Sequence, residues 1–233
     1  MNSRNPTILL LGGSSGLAME IGKLAQQDEY NVHATLRNPI SDSIYRSQIH
    51  ELDISKAKSL EIFLDGLGNY KFERIISFIG KTSTQEERES LPSLQRYYET
   101  YTCNLFVLLE HLARNHLDGT SDSQLTALAS RSANHASFDI HYSSVKGALV
   151  SYVRSLGKQL ELPKRIISIS SGLIVGSKMY LEMSEDVRNS HKLRSGGTLL
   201  NVKQAAKEIW EKSLLSHVSC ESGANYLIGT DYP

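Results

Sequence analysis

The chain has no excess of charge of either sign: 25 Lys and Arg stand against 25 Asp and Glu in 233 residues. Such a balance supplies none of the positive field that gathers a protein onto nucleic acid or an anionic membrane surface, so neither is an expected partner. Cysteine is scarce as well. Cys103 and Cys220 lie far apart, with no CxxC pair and no Cys/His cluster at zinc spacing. No metal site is expected, both cysteines read as packing residues, and a reducing, cytoplasmic setting is the default expectation. Long apolar runs are missing: none approaches the roughly 20 residues that span a bilayer. Met1-Asn2-Ser3-Arg4-Asn5-Pro6 leads straight into a short apolar strand rather than a signal-type segment. Without repeats, low-complexity tracts or linkers, the chain reads as one domain, 1–233.

What the sequence does have is a repeated switch between short apolar runs and longer helical spacing. Thr7–Leu11 reads as a buried strand. Leu17–Gln27 carries apolar residues at Leu17, Ile21, Leu24 and Ala25, the spacing of one helix face. Val32–Leu36, Ile49–Ile54, Arg74–Ile79, Gln124–Ala129, Arg165–Ser170 and Asn225–Ile228 read as further strands. Helices are predicted from about Ser55, as N-cap, to Leu67, with Gly66 and Gly68 as the stop; within Leu91–His116; over Tyr142–Leu160; and over Val202–Leu215. This alternation points to an α/β fold, a parallel sheet covered by helices on both faces. Gly176–Gly197 is polar and weakly periodic and reads as a loop with at most a short helix. It follows the sixth strand at the sheet edge where such folds bind ligands, so it is the expected substrate lid. Its mixed charges suit either a polar or anionic substrate or simply a solvated loop.

Gly12-Gly13-Ser14-Ser15-Gly16-Leu17-Ala18 lies between the first strand and the first helix. A glycine-rich turn there lets backbone N–H groups approach a pyrophosphate, and the helix N-terminus favours its charge. Gly12 serves the tight turn, Gly16 the close approach and Ala18 the packing of helix on strand; Ser14, Ser15 and Leu17 complete the candidate dinucleotide contacts. The second strand ends Thr35-Leu36-Arg37-Asn38, with no carboxylate to take a ribose hydroxyl. Arg37 instead suits the 2′-phosphate of NADP(H), with NAD(H) as the alternative cofactor. Asp53 and Ile54, after the third strand, are candidate adenine contacts, although Asp53 could equally cap the helix that follows.

Tyr142 and Lys146, in Tyr142-Ser143-Ser144-Val145-Lys146, stand at i and i+4 on a helix and so share a face. A free phenol, with a pKa near ~10, is a poor proton carrier at neutral pH. A nearby ammonium favours the phenolate and lowers that value, and a phenol tuned this way can pass a proton to a carbonyl oxygen as hydride reaches its carbon. YxxxK alone recurs by chance. Together with the turn Gly12–Ala18, Asn104 and Ser130, in this order, it resembles the classical short-chain dehydrogenase/reductase family over nearly the whole chain. The resemblance implies a Rossmann-type, doubly wound sheet of seven parallel strands, a nicotinamide cofactor, and a homodimer or homotetramer. It also implies hydride transfer between NADP(H) and a small-molecule carbonyl or alcohol substrate. It makes Tyr142 the acid–base and Lys146 the ligand of the nicotinamide ribose. Ser130 becomes the partner of the substrate carbonyl, and Asn104 the holder of a water linking Lys146 to solvent. Gly80, after the fourth strand, joins the cofactor contacts.

Several positions depart from the family pattern. Leu11 stands where the family has threonine and Ala18 where it has glycine. Ser77-Phe78-Ile79-Gly80 replaces Asn-Asn-Ala-Gly, and Ser171-Gly172 replaces proline–glycine. Ser130 precedes Tyr142 by 12 residues, about one short of the common spacing, so Ser132 competes for its role. These departures open a second reading: an NADP(H)-binding sensor or scaffold that keeps the fold without turnover. A sugar epimerase of the extended branch is disfavoured, because the 87 residues after Lys146 leave little room for its substrate domain. His135 and His141 flank Tyr142, but no Gly-x-Ser-x-Gly elbow supports nucleophilic hydrolysis. His141 reads as a surface or packing residue.

Overall fold

The computed structural model describes residues 5–38, 48–120, 122–135, 137–161, 163–215 and 221–229; Cys220 lies outside them. Seven parallel strands form one sheet: β1 Thr7–Leu11, β2 Asn31–Leu36, β3 Ile49–Glu51, β4 Arg74–Ser77, β5 Gln124–Ser130, β6 Arg165–Ser171 and β7 Asn225–Ile228. Their order is β3-β2-β1-β4-β5-β6-β7. The chain winds outward from β1 to β3, then returns to build the other half from β4. The reversal beside β1 is the switch point at which doubly wound sheets open a crevice.

The helices among the described residues are α1 Gly16–Gln27, α2 Ala57–Leu67, α3 Gln85–Glu89, α4 Leu91–Tyr98, α5 Leu105–Asn115, α6 Ile140–Gln159, α7 Lys178–Glu182, α8 Glu185–Arg194 and α9 Val202–Ser213. Side-chain alternation along β1 divides the core. Ile8 and Leu10 pack with Ile21 and Ala25 of α1 and with Ile209 and Trp210 of α9. Leu9 and Leu11 pack on the opposite face with Phe63 of α2, Leu108 of α5 and Leu149 of α6. Each fully buried side chain of this kind contributes about 1.5–3 kcal/mol, so both sheet faces require their helices. Among the described residues, no helix is long and apolar enough to cross a membrane.

Several elements differ from their sequence-based expectation. The third strand stops at Glu51 because the Asp53 carboxylate accepts from the N–H and hydroxyl of Ser55 and turns the chain. Ser55 is therefore not the cap of α2; Lys56 holds that position, without a side-chain bond. A π-helical segment, Glu99–Asn104, joins α4 to α5. The segment Gly176–Gly197 holds two helices rather than a loop with at most one short helix: Ser177 caps α7 through the Tyr180 N–H, and Ser184 precedes α8. Cys103, expected to fill core space, is exposed.

Candidate active site

A cavity of about 900 Å³ runs along the C-terminal ends of the strands, from the β1–α1 turn to α7 and α8. The turn is fixed by β2: Gly12 N–H donates to Thr35 Oγ1 and Gly13 N–H to Thr35 O, both at 2.9 Å. Gly12 adopts φ +80°, a region open to glycine at little cost. Ser15 caps α1 by accepting from Ala18 N–H at 3.1 Å. Gly12, Ser14, Ser15, Gly16 and Leu17 all line the cavity, and Ala18 is fully buried between helix and sheet. At Gly16 an added Cβ would meet nothing within 4 Å, so open space begins at the first turn of α1. Four N–H groups at any helix start lack an intrahelical partner, and that supply of donors suits phosphate oxygens.

At one end of the cavity, Arg37 follows β2 and faces Asp53 at 3.9 Å; burial raises the Tyr101 phenol, and the Arg37 charge works against that rise. Arg37, Tyr101, Leu52 and Ile54 line the space. Asp53 does not. Partial burial opposes its charge, but bonds from Ser55 and the charges of Arg37 and Lys56 hold its carboxyl below the usual range. Of the two candidate adenine contacts, the structure therefore puts Ile54 at the cavity and spends Asp53 on the turn and on Arg37. Asn104 lies in the π-helical segment, where its Nδ2 donates to Ile54 O at 2.8 Å. It braces the backbone at Ile54 and is not among the cavity-lining residues.

In the middle of the cavity, Ser130 ends β5 and Tyr142 and Lys146 stand one turn apart on α6. Ser132 donates its hydroxyl to Ser130 Oγ at 2.9 Å, and the Ser130 hydroxyl favours the charged form of the Tyr142 phenol. Of the two competing serines, Ser130 is the one whose hydroxyl acts on the phenol's charge. Tyr142 and Lys146 are 9 % and 4 % exposed. Burial pushes the phenol up to about 12, against the lowering effect of Ser130 and with help from the Asp139 charge. Burial also brings the ammonium down to about 8. The expected lowering of the phenol by Lys146 is not found: the ammonium lies 5.9 Å from the Tyr142 ring centre. It donates instead to Ile79 O at 3.3 Å and Leu128 O at 2.7 Å. Gly80, at φ +147°, makes room for it, since a Cβ there would stand 2.6 Å from Lys146 Nζ.

Asp139, absent from the sequence-based candidates, organises this region. Its carboxylate caps α6 through the N–H groups of His141 and Tyr142, and reaches back to Ser83 in the loop after β4. The available signal was a capping-type residue just before a helical run; the apolar period alone started that helix two residues late. Thr35, Tyr101 and Phe138 are further lining residues that the motifs did not reveal. His135 lines the cavity, while His141 Nδ1 pairs with the Tyr98 hydroxyl at 3.0 Å.

No protein-family profile matches the chain. A relative from Arabidopsis thaliana, NADPH-dependent aldehyde reductase 1, chloroplastic, is 23 % identical over 97 % of this chain and 83 % of its own. A short-chain dehydrogenase family protein from Francisella tularensis subsp. tularensis SCHU S4 superposes with a TM-score of 0.79 at 17 % identity, covering 97 % of this chain and 98 % of that one. A variant of actinorhodin polyketide ketoreductase, solved with NADPH, gives a TM-score of 0.80 at 13 % identity over 97 % and 96 %. With its seven parallel strands in switch-point order and helices on both faces, the chain has the Rossmann-type fold of the short-chain dehydrogenase/reductases.

Proposed function

We propose that the chain is a short-chain dehydrogenase/reductase that moves hydride between NADP(H) and a carbonyl or alcohol substrate. NAD(H) is the alternative cofactor. The observation that carries this reading is the convergence of Ser130, Tyr142 and Lys146 on one cavity that begins at the glycine turn capping α1. The NADPH dependence in the Arabidopsis relative's name and the NADPH in the ketoreductase structure support the cofactor. Arg37 at the end of β2, with no carboxylate beside it in the strand, supports the phosphorylated form.

The bound nicotinamide supplies or accepts the hydride. Tyr142 passes its phenolic proton to the carbonyl oxygen in the reductive direction and takes it back in the other. Ser130, whose hydroxyl favours the charged phenol, orients the carbonyl against it. Lys146, which lines the cavity beside Tyr142, would hold the nicotinamide ribose. Asp139 fixes the start of α6 and so the direction of Tyr142. The first-turn N–H groups of α1 would hold the pyrophosphate.

NADPH consumption with a panel of aldehydes and ketones tests the proposal; saturable oxidation with matching alcohol formation is expected. The second reading, a cofactor-binding sensor, draws on the Lys146 ammonium being held by two backbone carbonyls rather than turned to the phenol. Tight NADPH binding without turnover across the whole panel would favour it.

A further inference from the structure

The cavity is far more basic than the chain that forms it. Overall the charges balance, yet the charged lining is Arg37, Lys81, Arg131, Lys146, Lys178 and Arg194 against Asp139 alone. Asp139 is committed to Ser83 and the start of α6. Most of the cations are committed too. Arg37 faces Asp53, Lys81 bonds Glu87 at 2.9 Å, and Lys178 lies 3.7 Å from Glu182. Arg131 donates to the carbonyls of Ile228 and Gly229, and Lys146 to those of Ile79 and Leu128.

Arg194, the last residue of α8, stands apart. Its guanidinium carbon lies 4.8 Å from the centre of the Phe138 ring, and Nη2 makes a long bond to Ser190 Oγ at 3.3 Å. No carboxylate among the described residues pairs with it. Stacking on an aromatic ring occupies the face of a guanidinium and leaves its in-plane N–H fork open, the geometry that matches a carboxylate or phosphate. Phe138 belongs to the segment leading into α6, four residues before Tyr142, and meets His191 of α8 edge-on at 5.8 Å. The lid and the segment carrying the acid–base thus touch at the residue that orients Arg194. Between them the lid contributes apolar lining: Met179, Met183 and Val187.

We infer that Arg194 anchors a carboxylate or phosphate of the substrate, which makes the substrate an anionic carbonyl compound with an apolar body between its reacting carbon and its charge. The inference rests on the reductase reading above, which places the reacting carbon at Tyr142. The cofactor's own phosphates are the other source of the same chemistry, so the test separates the two.

Calorimetry of the NADP⁺-loaded protein with 4-formylbenzoate and with its methyl ester compares charged and neutral aldehydes when no hydride is available. The acid is expected to bind roughly ten- to hundredfold more tightly than the ester, the range of a charge-assisted contact. Arg194→Gln should bring that ratio near one, Arg194→Lys should keep part of it, and Phe138→Leu should reduce it by loosening the stacked guanidinium. NADPH affinity should change by less than about twofold in Arg194→Gln, a far smaller effect than loss of a charge-assisted contact. Equal binding of acid and ester to the unaltered protein, or binding of neither, overturns the inference. So does an Arg194→Gln protein that keeps the full ratio, or one that loses NADPH affinity as much as acid affinity, which would assign Arg194 to the cofactor. Acid-selective binding without NADPH oxidation of either aldehyde would overturn the reductase reading while supporting the anchor.

Discussion

The Asp139 carboxylate accepts hydrogen bonds from the N–H and hydroxyl of Ser83, at 2.7 and 2.9 Å, while capping the helix that carries Tyr142. One side chain therefore ties the loop after β4 to the candidate acid–base. Removing it as Asp139→Ala should cost about 1–2 kcal/mol of stability, the usual scale of a lost cap, and should lower turnover. Asp139→Asn keeps an acceptor but removes a negative charge that raises the Tyr142 pKa. Its pH–rate profile should move to lower pH. A profile displaced upward or left in place contradicts the assigned contact.

The buried Lys146 ammonium should make the stability of the fold depend on pH. Burial lowers its ammonium from 10.5 to about 8, a depression equivalent to about 3 kcal/mol. Lys146→Met removes that cost but leaves two carbonyls short of a donor, at about 1–3 kcal/mol each. The two effects are of similar size, so the variant should unfold near pH 7 at about the same denaturant concentration, with turnover reduced at least about a hundredfold. The folded pKa lies below the unfolded one, so between about pH 8 and 10.5 the unfolded chain binds the proton that the folded chain has lost. Stability from this group therefore rises with pH across that window. Denaturation series at several pH values should show the rise in the unaltered protein and not in Lys146→Met.

Cofactor choice should depend on Arg37. Arg37→Ala removes a charge-assisted contact of about 1.5–3 kcal/mol, so NADPH should bind about ten- to hundredfold more weakly while NADH changes little. Fluorescence titration with both nucleotides checks this. Equal loss of the two would place Arg37 elsewhere, for instance as a structural partner of Asp53 and Tyr101.

The strands were readable in the sequence because runs such as Thr7–Leu11 are buried along their whole length and almost wholly apolar. The glycine turn and the Tyr142/Lys146 pair were readable because both depend on local spacing. What was hidden depends on distant partners or on polar surfaces. The carbonyls that hold Lys146 come from Ile79 and Leu128, 67 and 18 residues away, and backbone oxygens carry no sequence signal. Helices α7 and α8 contain no buried residue, so they lack the apolar period by which α1 was found. The π-helical segment turns Asn104 onto Ile54 O, an orientation that the motif Cys103-Asn104-Leu105 does not announce.

Tyr142 carries the central claim. Tyr142→Phe removes one hydroxyl from a side chain that is otherwise packed, so the protein should fold and bind NADPH as before. The decisive measurement is single-turnover reduction of a carbonyl substrate by pre-bound NADPH, followed by loss of nicotinamide absorbance under conditions where chemistry limits the rate. The account predicts a fall of roughly 10²–10⁴-fold relative to the unaltered protein, the usual contribution of a positioned proton donor. A Tyr142→Phe protein that oxidises bound NADPH at a rate close to the unaltered one would contradict it.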